Sequence, residues 1–218
     1  MSRIKAAIFD LDGTLTESLE SIAYTVNKVL QELGLKEIEL ERFKTMVGDG
    51  AKVLIEKALS YRGIDDAAKC EEVYARYLEV FEEGCTYKLR ECSGMTALVK
   101  ELKAGGIKLA VLSNKPDKMT RKCVHAVFGQ DIFDEVRGQR EGVKKKPDPK
   151  AALEIAELFG VRPEECIYLG DTNTDMQTGK NAGMFTIGVL WGFRDKQELI
   201  DNHADAIVSK PEEVLKLV

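Results

Sequence analysis

Residues 4–9, Ile4-Lys5-Ala6-Ala7-Ile8-Phe9, form a nearly unbroken apolar run that stops on Asp10-Leu11-Asp12-Gly13-Thr14. A short run of this kind reads as a strand covered on both faces, as in a parallel sheet. Four more such runs follow, at residues 107–112, 166–169, 184–189 and 206–208. Helical patterns lie between them. One spans 95–104 and stops at Gly105-Gly106; a second spans 118–128 and stops at Gly129. In a third, Asp148 stands as the cap with Pro149 in the first turn, and the pattern ends near Gly160. The last starts at Ser209-Lys210-Pro211-Glu212, a possible capping box. Strands and helices in strict alternation predict an α/β, doubly wound, Rossmann-like parallel sheet.

Residues 17–84 break the alternation, with helical stripes and no strand pattern. Leu19, Ile22, Ala23, Val26, Leu30 and Leu33 repeat at helical spacing up to Gly34. Val53, Leu54, Ala58 and Leu59 make a second stripe. Val73, Tyr77, Val80 and Phe81 make a third, behind Asp65-Asp66. The chain therefore divides into an α/β core, 1–16 and 85–218, and a helical cap, 17–84, inserted after the first strand. The 218 residues suffice for one domain or one and a half.

Composition removes several classes of function. The 32 basic residues face 37 acidic ones, so a broad basic surface for nucleic acid is not expected. No stretch approaches the roughly 18 apolar residues of a membrane span. The apolar run near the N-terminus is too short for a signal peptide. Cys70, Cys85, Cys92, Cys123 and Cys166 form no CxxC pair, which suits reduced thiols in a cytoplasmic protein. His125 and His203 fall in no motif.

Asp10 and Asp12 lie two residues apart and point the same way if the chain is still extended. At the carboxyl end of a parallel strand they face the crevice where such sheets bind ligands. Two carboxylates held together repel, so the pair calls for a cation or a shared proton.

Asp10-Leu11-Asp12-Gly13-Thr14-Leu15-Thr16-Glu17-Ser18 resembles the first motif of the haloacid dehalogenase superfamily, in particular its phosphatases. Leu112-Ser113-Asn114-Lys115 is similar to the second motif, Lys146-Pro147-Asp148-Pro149 to the third and Gly170-Asp171-Thr172-Asn173-Thr174-Asp175 to the fourth. The order is the family's, across nearly the whole chain, and the helical insertion matches the family's cap. Within the superfamily the phosphoglycolate phosphatases are most similar, on Val47-Gly48-Asp49-Gly50-Ala51 and on Gly188-Val189-Leu190-Trp191-Gly192-Phe193-Arg194. Inorganic pyrophosphatases and phosphosugar phosphatases or mutases share most of these stretches, and a non-catalytic phosphate-binding protein of the same fold is a further alternative. The sequence departs from the pattern at Glu17, where Asp is common, and at Ser93-Gly94, where Pro-Gly is common.

The resemblance implies a mechanism. Asp10 attacks phosphorus and becomes an aspartyl-phosphate. Asp12 protonates the leaving oxygen and then activates water; its presence favours a phosphatase over a dehalogenase or a phosphonate-cleaving enzyme. Mg²⁺ is expected on the Asp10 carboxylate, the Asp12 carbonyl and Asp171, with Asp175 supporting the site. Ser113 and the Asn114 amide are expected to hold phosphoryl oxygens, with Thr14 also in contact with substrate, and Lys146 to balance charge beside Asp10. Gly48, Asp49 and Gly50 are expected to meet the substrate from the cap, with Arg42, Lys44 and Lys52 as nearby cations. The expected partner is a small phosphorylated metabolite, for a monomer or homodimer without nucleic acid or membrane.

Overall fold

The computed structural model describes residues 4–218; Met1, Ser2 and Arg3, assigned to the core from sequence, lie outside the described residues. The first strand, β1 (Ala6–Phe9), is followed by a two-residue strand, β2 (Thr16–Glu17). Four helices come next: α1 (Leu19–Glu32), α2 (Leu40–Phe43), α3 (Ala51–Tyr61) and α4 (Ala67–Gly84). The chain returns through β3 (Arg90–Glu91), which pairs antiparallel with β2 and closes a small ribbon at the base of the insertion.

From there strands and helices alternate: α5 (Met95–Ala104), β4 (Lys108–Pro116), α6 (Asp117–Phe128), β5 (Glu135–Gln139) and α7 (Lys150–Leu158). Then come β6 (Cys166–Gly170), α8 (Asn173–Asn181), β7 (Phe185–Val189), α9 (Lys196–Asp201) and β8 (Ala206–Val208). Six strands form one parallel sheet in the order β5-β4-β1-β6-β7-β8. The architecture is the doubly wound α/β fold that the alternation predicts.

The period of two along each strand sorts the core into two layers. Ala7, Phe9, Leu109, Val111, Ile167 and Leu169 face α5 and α6, in an apolar cluster that continues into α1, α3 and α4. Ala6, Ile8, Ala110, Leu112, Cys166 and Tyr168 face the other way, onto Ala152, Ile155 and Ala156 of α7. Since both faces are covered, the strands read as unbroken apolar runs. All five cysteines are free and buried.

The ends of elements follow local chemistry. Gly34, with φ at +70°, stops the turn after α1. Asp66 caps α4, its carboxylate accepting from the Lys69 amide at 3.0 Å. Asp148 accepts from the Lys150 amide at 3.0 Å, so α7 starts one residue after Pro149. The C-terminal segment from Ser209 differs from expectation: Pro211–Lys216 is 3-10 rather than α. Glu213 there accepts from the Ser209 and Lys210 amides, which holds its first turn.

β1 sits between β4 and β6, in register Phe9↔Val111 and Phe9↔Leu169. Their carboxyl ends therefore lie side by side, where the strand order reverses. Between Leu112 and Pro116, β4 advances four residues while β5 advances two, from Arg137 to Gln139. This bulge falls on Ser113-Asn114-Lys115 and re-aims their side chains. No helix among the described residues is long and apolar enough to cross a membrane.

Candidate active site

Asp10 is the first residue past β1, and its amide donates to the Leu169 carbonyl of β6 at 2.9 Å. The chain then folds back on itself. Leu15 and Thr16 both donate to the Leu11 carbonyl, at 3.0 and 2.9 Å, and Gly13 donates to Thr16 at 2.9 Å. Gly13 has φ at +87°, and a Cβ there would stand 2.5 Å from Oδ2 of Asp171. Only glycine allows both the turn and the approach of the fourth motif to the first.

Asp171 follows β6 directly and is fully buried. Its Oδ1 accepts from Thr14 Oγ1 at 2.9 Å and its Oδ2 from the Phe193 amide at 2.8 Å. Thr172 caps α8, and Asp175 answers it: Thr172 Oγ1 and N donate to Asp175 Oδ2 at 2.6 and 3.2 Å. This cap fixes one Asp175 oxygen. The other accepts from Lys146 Nζ at 2.7 Å.

Lys146 comes from the loop after β5 and is almost fully buried. Besides Asp175, its Nζ donates to Asp10 Oδ1, also at 2.7 Å. Carboxylate oxygens of Asp10, Asp171 and Asp175 all lie within 4.8 Å of one another. Ionised, three carboxylates against one ammonium leave a formal charge of −2 in a buried place. Burial and then Asp175 push the Asp10 carboxyl up to about 7, against the pull of Lys146. Burial, Asp175 and Asp10 raise Asp171 as well. Burial pulls the Lys146 ammonium down, but Asp10 and Asp175 outweigh it and its pKa ends well above the ordinary lysine value. A surplus of two negative charges on clustered oxygens fits a hard divalent cation.

The β4 bulge supplies three side chains with three different tasks. Ser113 Oγ accepts from the Lys115 amide at 3.2 Å, and among the described residues its own proton has no acceptor. Asn114 is a strut: its Nδ2 donates to Gly48 O and Lys146 O, both at 3.1 Å, and its Oδ1 accepts from Lys146 N at 2.9 Å. Lys115 Nζ donates to both oxygens of Asp12, at 2.6 and 2.9 Å. It also lies 5.0 Å from the ring centre of Phe81 on α4.

A cavity of about 460 Å³, its open mouth included, lies over these strand ends. Asp10, Asp12, Ser113, Asn114 and Lys115 line its floor. Its roof comes from the helices of 19–84: Ile22, Leu54, Tyr77, Phe81 and the loop glycines Gly48 and Gly50. Lys146 and Asp171 stand just behind the floor.

The structure thus gathers Asp10, Asp12, Ser113, Asn114, Lys146, Asp171 and Asp175 at one place. It corrects two expected substrate contacts. Thr14 is fully buried and its hydroxyl is turned from the cavity to Asp171, because the tight turn at Gly13 carries it under the floor. Asp49 does not line the cavity. Its carboxylate accepts from Lys57 Nζ at 2.8 Å and Thr174 Oγ1 at 3.3 Å, because Gly48 and Gly50, at φ +114° and +94°, turn the loop so that the glycines face inward. Arg42, Lys44 and Lys52 do not line it either: Lys44 pairs with Glu41, Lys52 with Glu71, and Arg42 lies over Tyr61. Sequence reasoning left Lys115 without a role, although its place directly after Ser113-Asn114 at a strand end was a usable signal.

The family model described as haloacid dehalogenase-like hydrolase matches residues 7–189. A phosphoglycolate phosphatase of Aquifex aeolicus is 32% identical, over 99% of this chain and 97% of its own length. One from Nitrosospira multiformis is 31% identical, over 99% and 96%. A solved structure described as a predicted phosphoglycolate phosphatase from Haemophilus somnus superposes with a TM-score of 0.92 at 25% identity, covering 100% of this chain and 99% of that one.

Proposed function

The chain belongs to the haloacid dehalogenase-like hydrolases, and we propose that it hydrolyses a small phosphomonoester, phosphoglycolate by preference, through an aspartyl-phosphate on Asp10. The observation that carries this reading is Asp10 itself: a buried carboxylate at a strand end, one oxygen bound to Lys146 and the group facing a cavity. We read residues 17–84 as the cap that roofs this cavity.

In the first step an Asp10 oxygen bonds to phosphorus as the ester oxygen leaves on the opposite side. Asp12 gives that oxygen its proton. In the second step water attacks phosphorus, its proton passes to Asp12, and the Asp10–phosphorus bond breaks. Ser113, whose proton has no acceptor among the described residues, donates to a phosphoryl oxygen. Lys146 balances the charge that develops there. Asn114 acts at one remove: its side chain is spent on positioning Lys146 and the Gly48 loop. Asp175 likewise positions Lys146.

Asp10 and Asp171, with the main-chain carbonyl of Asp12, would hold a divalent cation. Oxygen donors alone and a surplus charge of −2 favour Mg²⁺ over zinc. Bound there, the cation supplies positive charge to the phosphoryl oxygens.

A panel of phosphorylated metabolites scored by kcat/KM tests the reading. The expected result is Mg²⁺-dependent phosphate release, lost in EDTA, with phosphoglycolate among the best substrates. Full turnover in metal-free buffer, or no phosphate release from any monoester, contradicts it.

A further inference from the structure

The roof of the cavity is apolar: Ile22, Leu54, Tyr77 and Phe81. Among the described residues that line it, the single cationic side chain is Lys115, on the floor. The lysine side chain is 2% exposed, yet its ammonium faces the cavity beside Asp12. An ammonium has three N–H donors. Two of them are spent on the two Asp12 oxygens, and among the described residues no further acceptor bonds this nitrogen.

We propose that Lys115 is the residue that reads the substrate's leaving group: its third donor binds a carboxylate carried one carbon from the ester oxygen. The inference deepens the phosphomonoesterase reading and rests on it. In such a substrate a single methylene separates the ester oxygen from the carboxylate. The two protein groups that would meet them are equally close, since Lys115 Nζ lies 2.6 Å from Asp12. One ammonium can therefore fix the acid and the leaving group relative to each other, which places the proton donor at the oxygen that needs it. The largely apolar roof limits water beside Lys115, so an anionic leaving group gains a weakly screened partner. A cationic leaving group in the same place is repelled by Lys115. Lys115 is thus a binding residue for the distal carboxylate and a positioning residue for Asp12.

The test compares three monoesters of similar size on the full chain with Mg²⁺: phosphoglycolate, ethyl phosphate and phosphoethanolamine. The wild type is expected to rank them anionic, neutral, cationic by kcat/KM, which needs no variant. In Lys115→Met both phosphoglycolate and ethyl phosphate lose what the Asp12 contact contributes. Phosphoglycolate loses roughly a further hundredfold, chiefly in KM, as expected for a deleted buried charge partner. The preference between the two then collapses toward unity, and Lys115→Arg retains most of it. A wild type that treats all three alike, or a Lys115→Met enzyme that loses equally on both substrates, overturns the inference while leaving the phosphatase reading intact. Failure of the wild type on every monoester overturns both.

Discussion

Lys115 holds Asp12 by both carboxylate oxygens, at 2.6 and 2.9 Å, with the lysine side chain 2% exposed and the aspartate 18% exposed. Asp10 is served by Lys146, which reaches one of its oxygens at 2.7 Å and is shared with Asp175. Each acid of the first motif thus has a buried ammonium beside it, delivered by a different segment. Burial pulls the Lys115 ammonium down and Asp12 pulls it up; the net shift is upward, so the lysine stays charged.

The pairing makes Asp12→Asn the informative substitution, since Asn keeps an oxygen acceptor for the buried Lys115 ammonium and Asp12→Ala would remove it. With an alkyl phosphate, Asp12→Asn is expected to slow the first step by about 10²–10⁴-fold, the usual contribution of general acid catalysis. p-Nitrophenyl phosphate, whose leaving group needs little protonation, loses less in that step. Rapid-quench rates on both substrates check this, and equal losses remove Asp12 from the acid role.

Asn114→Ala removes three bonds at once and leaves the buried Lys146 amide without its acceptor. The unpaired group costs about 1–3 kcal/mol. Thermal melting should fall by roughly 2–4 °C for each kcal/mol at this chain length. Turnover should fall as well, because Lys146 and the Gly48 loop lose their common anchor. A variant with wild-type melting and turnover would show that the strut has no function.

Gly192→Ala tests how tightly Asp171 is held. A Cβ there would stand 2.2 Å from the Asp171 Cβ, so the carboxylate must move. Overpacking of this kind costs about 1–3 kcal/mol. The Mg²⁺ concentration for half-maximal activity is expected to rise at least tenfold. An unchanged metal requirement would place the cation away from Asp171.

Stability without metal should depend on pH in a particular direction. The Asp10 carboxyl is raised from its ordinary 3.8 to about 7 by burial and by Asp175. Between those values the unfolded chain has lost a proton that the folded chain keeps, so stability falls as pH rises through this window. In EDTA, wild type should lose melting temperature relative to Asp10→Asn between pH 4 and pH 7.5. Mg²⁺ should stabilise wild type more at pH 7.5 than at pH 5. Equal stabilisation at both values would contradict the account of the cluster.

The motif-bearing strand ends were legible in the sequence because apolar runs stop on polar residues that a core cannot hold: Asp10 after Phe9, Ser113 after Leu112, Asp171 after Gly170. β5 was not legible, since Glu135-Val136-Arg137-Gly138-Gln139 is an edge strand with a half-solvated face. β2 and β3 are two residues each, too short for any period. Thr14 and Asp49 were misplaced for a shared reason: positive φ at Gly13, Gly48 and Gly50 sets which neighbour faces the cavity, and spacing alone does not reveal it. Lys115 took its place from a bulge between β4 and β5, a long-range register effect.

The central claim is that phosphorus bonds to Asp10 during turnover. Acid quench of a single turnover of labelled p-nitrophenyl phosphate with Mg²⁺, followed by borohydride reduction and peptide mapping, tests it most directly. The account predicts a phosphoenzyme whose reduction marks Asp10, and neither label nor turnover in a folded Asp10→Asn variant. Turnover by Asp10→Asn near the wild-type rate, or label mapped to another residue, would contradict it.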